Sequence, residues 1–129
     1  MHRGKTEIVV ESESLLSEVH AAFSRAYPFL RLEAVERERR PVASAPQAPL
    51  QRYLKIAADR QMPFAIDISG GRTVAEVVED VSSLFQTKLQ ICRKSGNVWN
   101  AVTITVGWTL ERQNAAGEHI SDIIRTSKE

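Results

Sequence analysis

At 129 residues the chain has room for one hydrophobic core and not for two comfortable ones. Hydrophobic residues at 43% and charged residues at 26% are the mixture of a folded domain and exclude disorder throughout. Lys and Arg number 17 against 16 Asp and Glu, so no global field selects nucleic acid, anionic lipid or a charged substrate.

Residues 6–11, TEIVVE, are short and β-branched, the signature of a strand. Over 14–26, Leu15, Leu16, Val19, Ala22, Phe23 and Ala26 recur on a helical period. The spacing predicts a helix with Ser14 as N-cap and Tyr27-Pro28 as its stop, since proline cannot continue a helix. In 29–35, Leu30, Leu32 and Ala34 alternate with Arg31 and Glu33, which reads as a half-buried strand. The charge run ERERR at 36–40 reads as a solvated strand end. Prolines among Ala and Ser make 41–50 a loop. Leu50, Tyr53, Leu54 and Ala57 suit a short helix over 50–58, ending before Met62-Pro63.

Phe64, Ile66 and Ile68 alternate with Ala65 and Asp67, again a strand. Ser69-Gly70-Gly71-Arg72 is a turn, and Thr73 with Glu76 has the spacing of a capping box. Val74, Val77, Val78, Val81, Leu84 and Phe85 then form an apolar stripe, so 73–86 is a helix; its valines lower its own propensity and make it lean on a sheet. Leu89 and Ile91 alternate with Gln90 and Cys92 in the next strand. Lys94-Ser95-Gly96-Asn97 supplies a turn in which Gly96 and Asn97 can both take positive φ. Residues 98–106 return as a strand, with Val102, Ile104 and Val106 on one face and Trp99, Ala101, Thr103 and Thr105 on the other. Gly107 breaks it. A short helical or turn segment over 108–114 follows, and 115 onward reads as frayed.

Strand, turn, helix, strand thus occurs at 7–35 and again at 64–93, with Glu18-Val19 and Tyr27 falling on Glu76-Val77 and Phe85 at one constant offset. Two β-α-β units in series predict a single α+β domain over 1–129, ferredoxin-like, its antiparallel or mixed sheet carrying the two main helices on one face. A β-grasp-like second half, with the first half as an accessory layer, is the alternative.

RKSGNVW at 93–99, WTLERQN at 108–114 with Gly117 after it, and YPFLRLE at 27–33 resemble motifs of a family of small uncharacterised bacterial proteins, mainly from Bacteroidetes. The resemblance implies a shared α+β fold and assigns no activity. This chain has Val106-Gly107 where the family usually shows an acidic pair, and Phe85-Gln86-Thr87 where it tends to have Phe-Gly-Leu.

Chemistry is sparse. The single cysteine, Cys92, cannot close an intramolecular disulfide or hold a structural zinc, which points to a reducing, cytoplasmic setting. No signal-peptide core is visible at the N-terminus, and no apolar run nears the roughly 20 residues of a membrane span. His2, His20 and His119 lie apart from one another, so no metal or cofactor is expected. No nucleophile elbow, Walker or dinucleotide glycine pattern is present. Gly70, Gly71, Arg72 and Thr73 could hold an anion at a helix start, although a plain turn and cap explains them as well. The constellation that remains is Arg93, Lys94, Asn97 and Trp99 on the hairpin, with Trp108 and Arg112 beyond it. Cations beside an aromatic serve a protein partner or self-association through a tryptophan anchor, or, as the alternative, single-stranded nucleic acid. The reading is a non-enzymatic protein-interaction or structural module.

Overall fold

The computed structural model describes residues 6–35, 54–59 and 61–127. In chain order these form β1 (Glu7–Val10), α1 (Leu16–Ala26), β2 (Leu30–Ala34), β3 (Phe64–Asp67), α2 (Val74–Phe85), β4 (Leu89–Ser95), β5 (Val98–Ala101) and α3 (Leu110–Ser127), an α+β arrangement. His2, the charge run at 36–40, the Pro/Ala-rich loop at 41–50 and the first residues of the helix expected over 50–58 lie outside the described residues. The remainder of that helix is not helical. Lys55 bridges Leu15, Leu54 O accepts from Leu16 N, and the N–H groups of Ala57 and Ala58 both donate to Leu84 O. The segment thus ties the start of α1 to the end of α2.

The two expected helices form where the apolar spacing puts them. In α1 the stripe buries Leu16, Val19 and Phe23, and Glu18 Oε1 accepts from Leu15 N at 2.9 Å. The cap is Leu15 rather than Ser14, because the Ser14 hydroxyl is engaged one turn earlier, accepting from Glu11 N at 2.8 Å. In α2, Thr73 N donates to Glu76 Oε1 at 2.9 Å and Glu76 N donates to Thr73 Oγ1 at 3.1 Å, the reciprocal box its spacing predicts. Val74, Val77, Val81, Leu84 and Phe85 point inward.

α2 stops on Gln86, which adopts φ 50 and ψ 43. An L side chain in this left-handed region costs roughly 1–2 kcal/mol, and glycine avoids that cost. Gln86 is exposed, so its side chain loses little when removed. Gln86→Gly is therefore expected to stabilise the chain by about 1 kcal/mol. An unchanged or lowered thermal midpoint would contradict this.

Strand pairing runs between the two halves of the chain. β1 pairs antiparallel with β3, with Ile8 opposite Ile66, in a two-stranded sheet. β2 and β5 flank β4 in a separate three-stranded antiparallel sheet, with Leu32 opposite Ile91 and Lys94 opposite Trp99. Each expected β-α-β unit therefore has its two strands in different sheets, so the single sheet of the ferredoxin-like expectation is replaced by two small antiparallel ones. What decides the pairing is burial. Ile8, Val10, Ile66, Leu30, Leu32, Leu89 and Ile91 all reach one core, which also takes the inner faces of all three helices. Because Leu30 and Leu32 share a face with Leu89 and Ile91, the helices cover one side of the three-stranded sheet.

Two further expectations are corrected. β5 ends at Ala101, and Ile104, expected on an inner strand face, is 93% exposed. The chain leaves the sheet to serve the start of α2, whose first N–H groups have no partners within their helix. Val106 O accepts from Ala75 N at 2.9 Å and Trp108 O from Val74 N at 3.0 Å. The segment expected to be a short turn and a frayed tail is α3, 18 residues long. After Leu110, which enters the core, its inner stripe is small and polar: Gln113 and Gly117 are buried, and Asn114 Oδ1 accepts from Phe29 N at 2.8 Å. A Cβ on Gly117 would stand 3.0 Å from Phe29 Cβ and 3.2 Å from Lys94 O, so glycine is what lets the helix lie against β4. Among the described residues no helix is long and apolar enough to cross a membrane.

Candidate functional site

Side chains alternate along β4, so Leu89, Ile91 and Arg93 face the core side while Gln90, Cys92 and Lys94 face away. Cross-strand pairing adds Arg31 and Glu33 of β2 and Trp99 and Ala101 of β5 to the outward face. There the guanidinium carbon of Arg31 lies 4.3 Å from the centre of the Trp99 ring, and Lys94 Nζ lies 5.9 Å from it. Arg31 Nη1 also donates to Glu33 Oε2 at 3.1 Å. Two cations from neighbouring strands thus lean over one indole, each contact worth about 0.5–1 kcal/mol at a partly wet site.

Cys92 sits beneath this group, its thiol 3.7 Å from Glu33 Oε1. Burial first, and then the negative charge of Glu33, push its pKa from 9.0 up to about 11. The thiol therefore stays neutral in the folded chain while the unfolded chain ionises first. Its contribution to stability is complete below about pH 9 and is lost as pH climbs towards about 11. Iodoacetamide should accordingly label the native chain far more slowly than the denatured chain at about pH 8, since the thiolate is the nucleophile. Equal rates would contradict the burial.

Arg93 does not belong to the outward face. Its Nη1 donates to Gln113 Oε1 at 2.9 Å, and Gln113 Nε2 in turn donates to Thr105 O at 3.0 Å and Thr105 Oγ1 at 2.9 Å. Gln113 is fully buried. The relay joins β4, α3 and the loop after β5. The hairpin tip is also anchored: Gly96 N donates to Ser121 Oγ at 3.0 Å, and a Cβ on Gly96 would stand 3.1 Å from Ile124 Cγ2. Of the two turn residues only Gly96 takes a positive φ, 68, and Asn97 is exposed. At the start of α3 a second stack forms, with the Arg112 guanidinium 3.8 Å from the centre of the Trp108 ring. The six residues singled out from sequence therefore do not form one patch. Lys94 and Trp99 meet; Arg93 turns inward; Trp108 and Arg112 pair with each other.

After the Gly70–Thr73 turn, the first donors of α2 have protein acceptors. Val74 N and Ala75 N are taken as described, Glu76 N by Thr73 Oγ1, and Val77 N by Thr73 O. Arg72 Nη1 donates to Asp80 Oδ2 at 2.7 Å and to Asp67 O at 3.1 Å, and Gly70 O accepts from Glu111 N. These partners account for the turn as a structural cap, so the anion reading is not carried further.

His20 Nδ1 lies 2.8 Å from Leu32 O, and Ser24 Oγ donates to Leu30 O at 3.3 Å. The free edge of β2 is thus closed by α1. His119 is exposed on α3. Among the described residues no three His, Cys, Asp or Glu side chains converge on a point that could hold a metal. Gln113 is visible in the sequence only as part of the WTLERQN string, and the apolar pattern around it does not mark a core position. Arg31 was legible as a surface residue of its strand, but its meeting with Trp99 depends on a long-range pairing. No protein-family model, no curated protein and no solved structure matches the chain.

Proposed function

We propose that the chain is a non-enzymatic interaction module that binds a protein partner through the outward face of β2, β4 and β5, with Trp99 as the anchor. The observation that carries this reading is Trp99 itself, half-buried on the face away from the core and flanked by Arg31 and Lys94. Tryptophan and arginine dominate the binding energy of protein interfaces. Lys94 adds a charge that no carboxylate pairs with among the described residues. RKSGNVW, the string behind the family resemblance, is the segment that carries Lys94 and Trp99. Nucleic acid is the weaker alternative, because Arg93, one of the two hairpin cations it needs, is spent on Gln113.

Differential capture tests the reading, with the wild-type chain and Trp99→Ala as baits in lysate of cells that express the protein. A protein retained by the wild type and bound at least about 30-fold more weakly by the variant, a loss of roughly 2 kcal/mol, is the expected result. Equal capture by both baits would contradict it. Enrichment of nuclease-sensitive material that falls steeply with salt would favour nucleic acid instead.

A further inference from the structure

Hydrogen-bond phase shows that the two edges of the three-stranded sheet differ. Val102 N donates to Ile91 O at 2.9 Å, which sets the alternation along the β4–β5 pair. Val98, Asn100 and Val102 therefore direct their backbone groups at β4, and Trp99 and Ala101 direct theirs out of the sheet. Neither Trp99 nor Ala101 has a backbone partner among the described residues. On the opposite edge the outward carbonyls of Leu30 and Leu32 are closed by Ser24 and His20. β5 is short, four residues, but VWNA has no charge, no proline and no bulge to protect the edge.

Resting on the interaction reading above, we propose that β5 takes up an extended acidic segment of a partner protein as an additional antiparallel strand. Main-chain bonds from Trp99 and Ala101 supply the pairing, and side chains supply the choice of partner. The residue directly opposite Trp99 shares its face. Lys94 and Arg31 both lean over the indole on that face, so an acidic side chain at that position meets two cations. Among the described residues Glu33 is the one acid on that face and is bound to Arg31, which leaves Lys94 to be neutralised. On the other face the incoming strand lies beside Val98, which is 56% exposed, so its alternate residues are apolar. The occupant is thus a strand alternating acidic and apolar residues. A second copy of this chain fits less well, because its own β5 brings no acid to the edge.

A synthetic ten-residue peptide alternating Glu and Val serves as the test ligand for the full chain, with amide exchange followed by NMR. Saturating peptide is expected to slow exchange at Trp99 and Ala101 at least tenfold. N-methylation of the peptide's Glu residues, whose N–H groups face β5 in this register, is expected to abolish binding; N-methylation of its Val residues should preserve it. A Lys-Val peptide should bind at least tenfold more weakly. Binding that leaves both amides unprotected, or that survives N-methylation at Glu, overturns strand addition while leaving the Trp99 anchor intact. Equal binding of the Lys-Val peptide overturns the acidic partner. Protection of the same amides in a concentration-dependent dimer assigns the edge to a second copy and overturns the proposal, as does the absence of any binding.

Discussion

Val81→Asp is expected to leave the chain largely unfolded, while Glu79→Ala on the same helix should change stability by no more than about 0.5 kcal/mol. Val81 is 1% exposed at the middle of the α2 stripe, between Val77 and Leu84. A carboxylate there has no cation to meet in the apolar core of Ile8, Ile66, Leu89 and Ile91. Burying it unpaired costs several kcal/mol, against a total stability of about 5–15 kcal/mol for an ordinary domain. Glu79 is exposed on the other side of α2. Urea unfolding followed by circular dichroism separates the two variants, and similar midpoints would mean that the inner face of α2 is wrongly assigned.

Gln113→Leu should cost about 2–4 kcal/mol even though leucine is close in size and more apolar. The reason is what the amide leaves behind. The half-buried guanidinium of Arg93 loses its acceptor, Thr105 Oγ1 loses its donor, and Thr105 O keeps only Trp108 N. Leaving a partly desolvated charge and a hydroxyl unmatched costs more than the apolar gain returns. Arg93→Met in the same background should recover part of the loss, so the double variant should cost less than the two single changes added together. Strict additivity in denaturant melts would show that the relay does not couple β4 to α3.

How far the fold could be read from sequence followed how far burial was apolar. α1 and α2 were legible because Phe23, Val19, Val77 and Val81 write their inner faces in large hydrophobic residues at helical spacing. α3 was not legible, because the face it buries is written as Leu110, Gln113, Gly117 and Ser121. Small and amide side chains there let backbone approach backbone, and a hydrophobic count passes over them. Val102, Ile104 and Val106 misled in the opposite direction. Their alternation reads as a strand, yet the acceptors needed by the first turn of α2 draw this stretch away from the sheet. Sheet pairing was the least legible part, since β1 with β3 and β2 with β4 are contacts between distant segments, and local pattern carries no register across such a gap.

The candidate surface divides along the same line. Trp99 was visible as a large aromatic without an assigned place in the core. Sequence proximity groups Arg93 with it on the hairpin, although Leu89, Ile91 and Arg93 share the inward phase of one strand. Extending that alternation by one step would have found it. The cation that does join Trp99 and Lys94 is Arg31, which the pairing of β2 with β4 supplies and no local motif announces.

The thermal stability of Trp99→Ala tests most directly whether this surface lies outside the core. Loss of the contacts with Arg31 and Lys94 should cost no more than about 1.5 kcal/mol, with the native circular dichroism spectrum retained. A loss of about 3–5 kcal/mol, the cost of emptying a tryptophan site in a packed core, would contradict the account and return Trp99 to the structural interior.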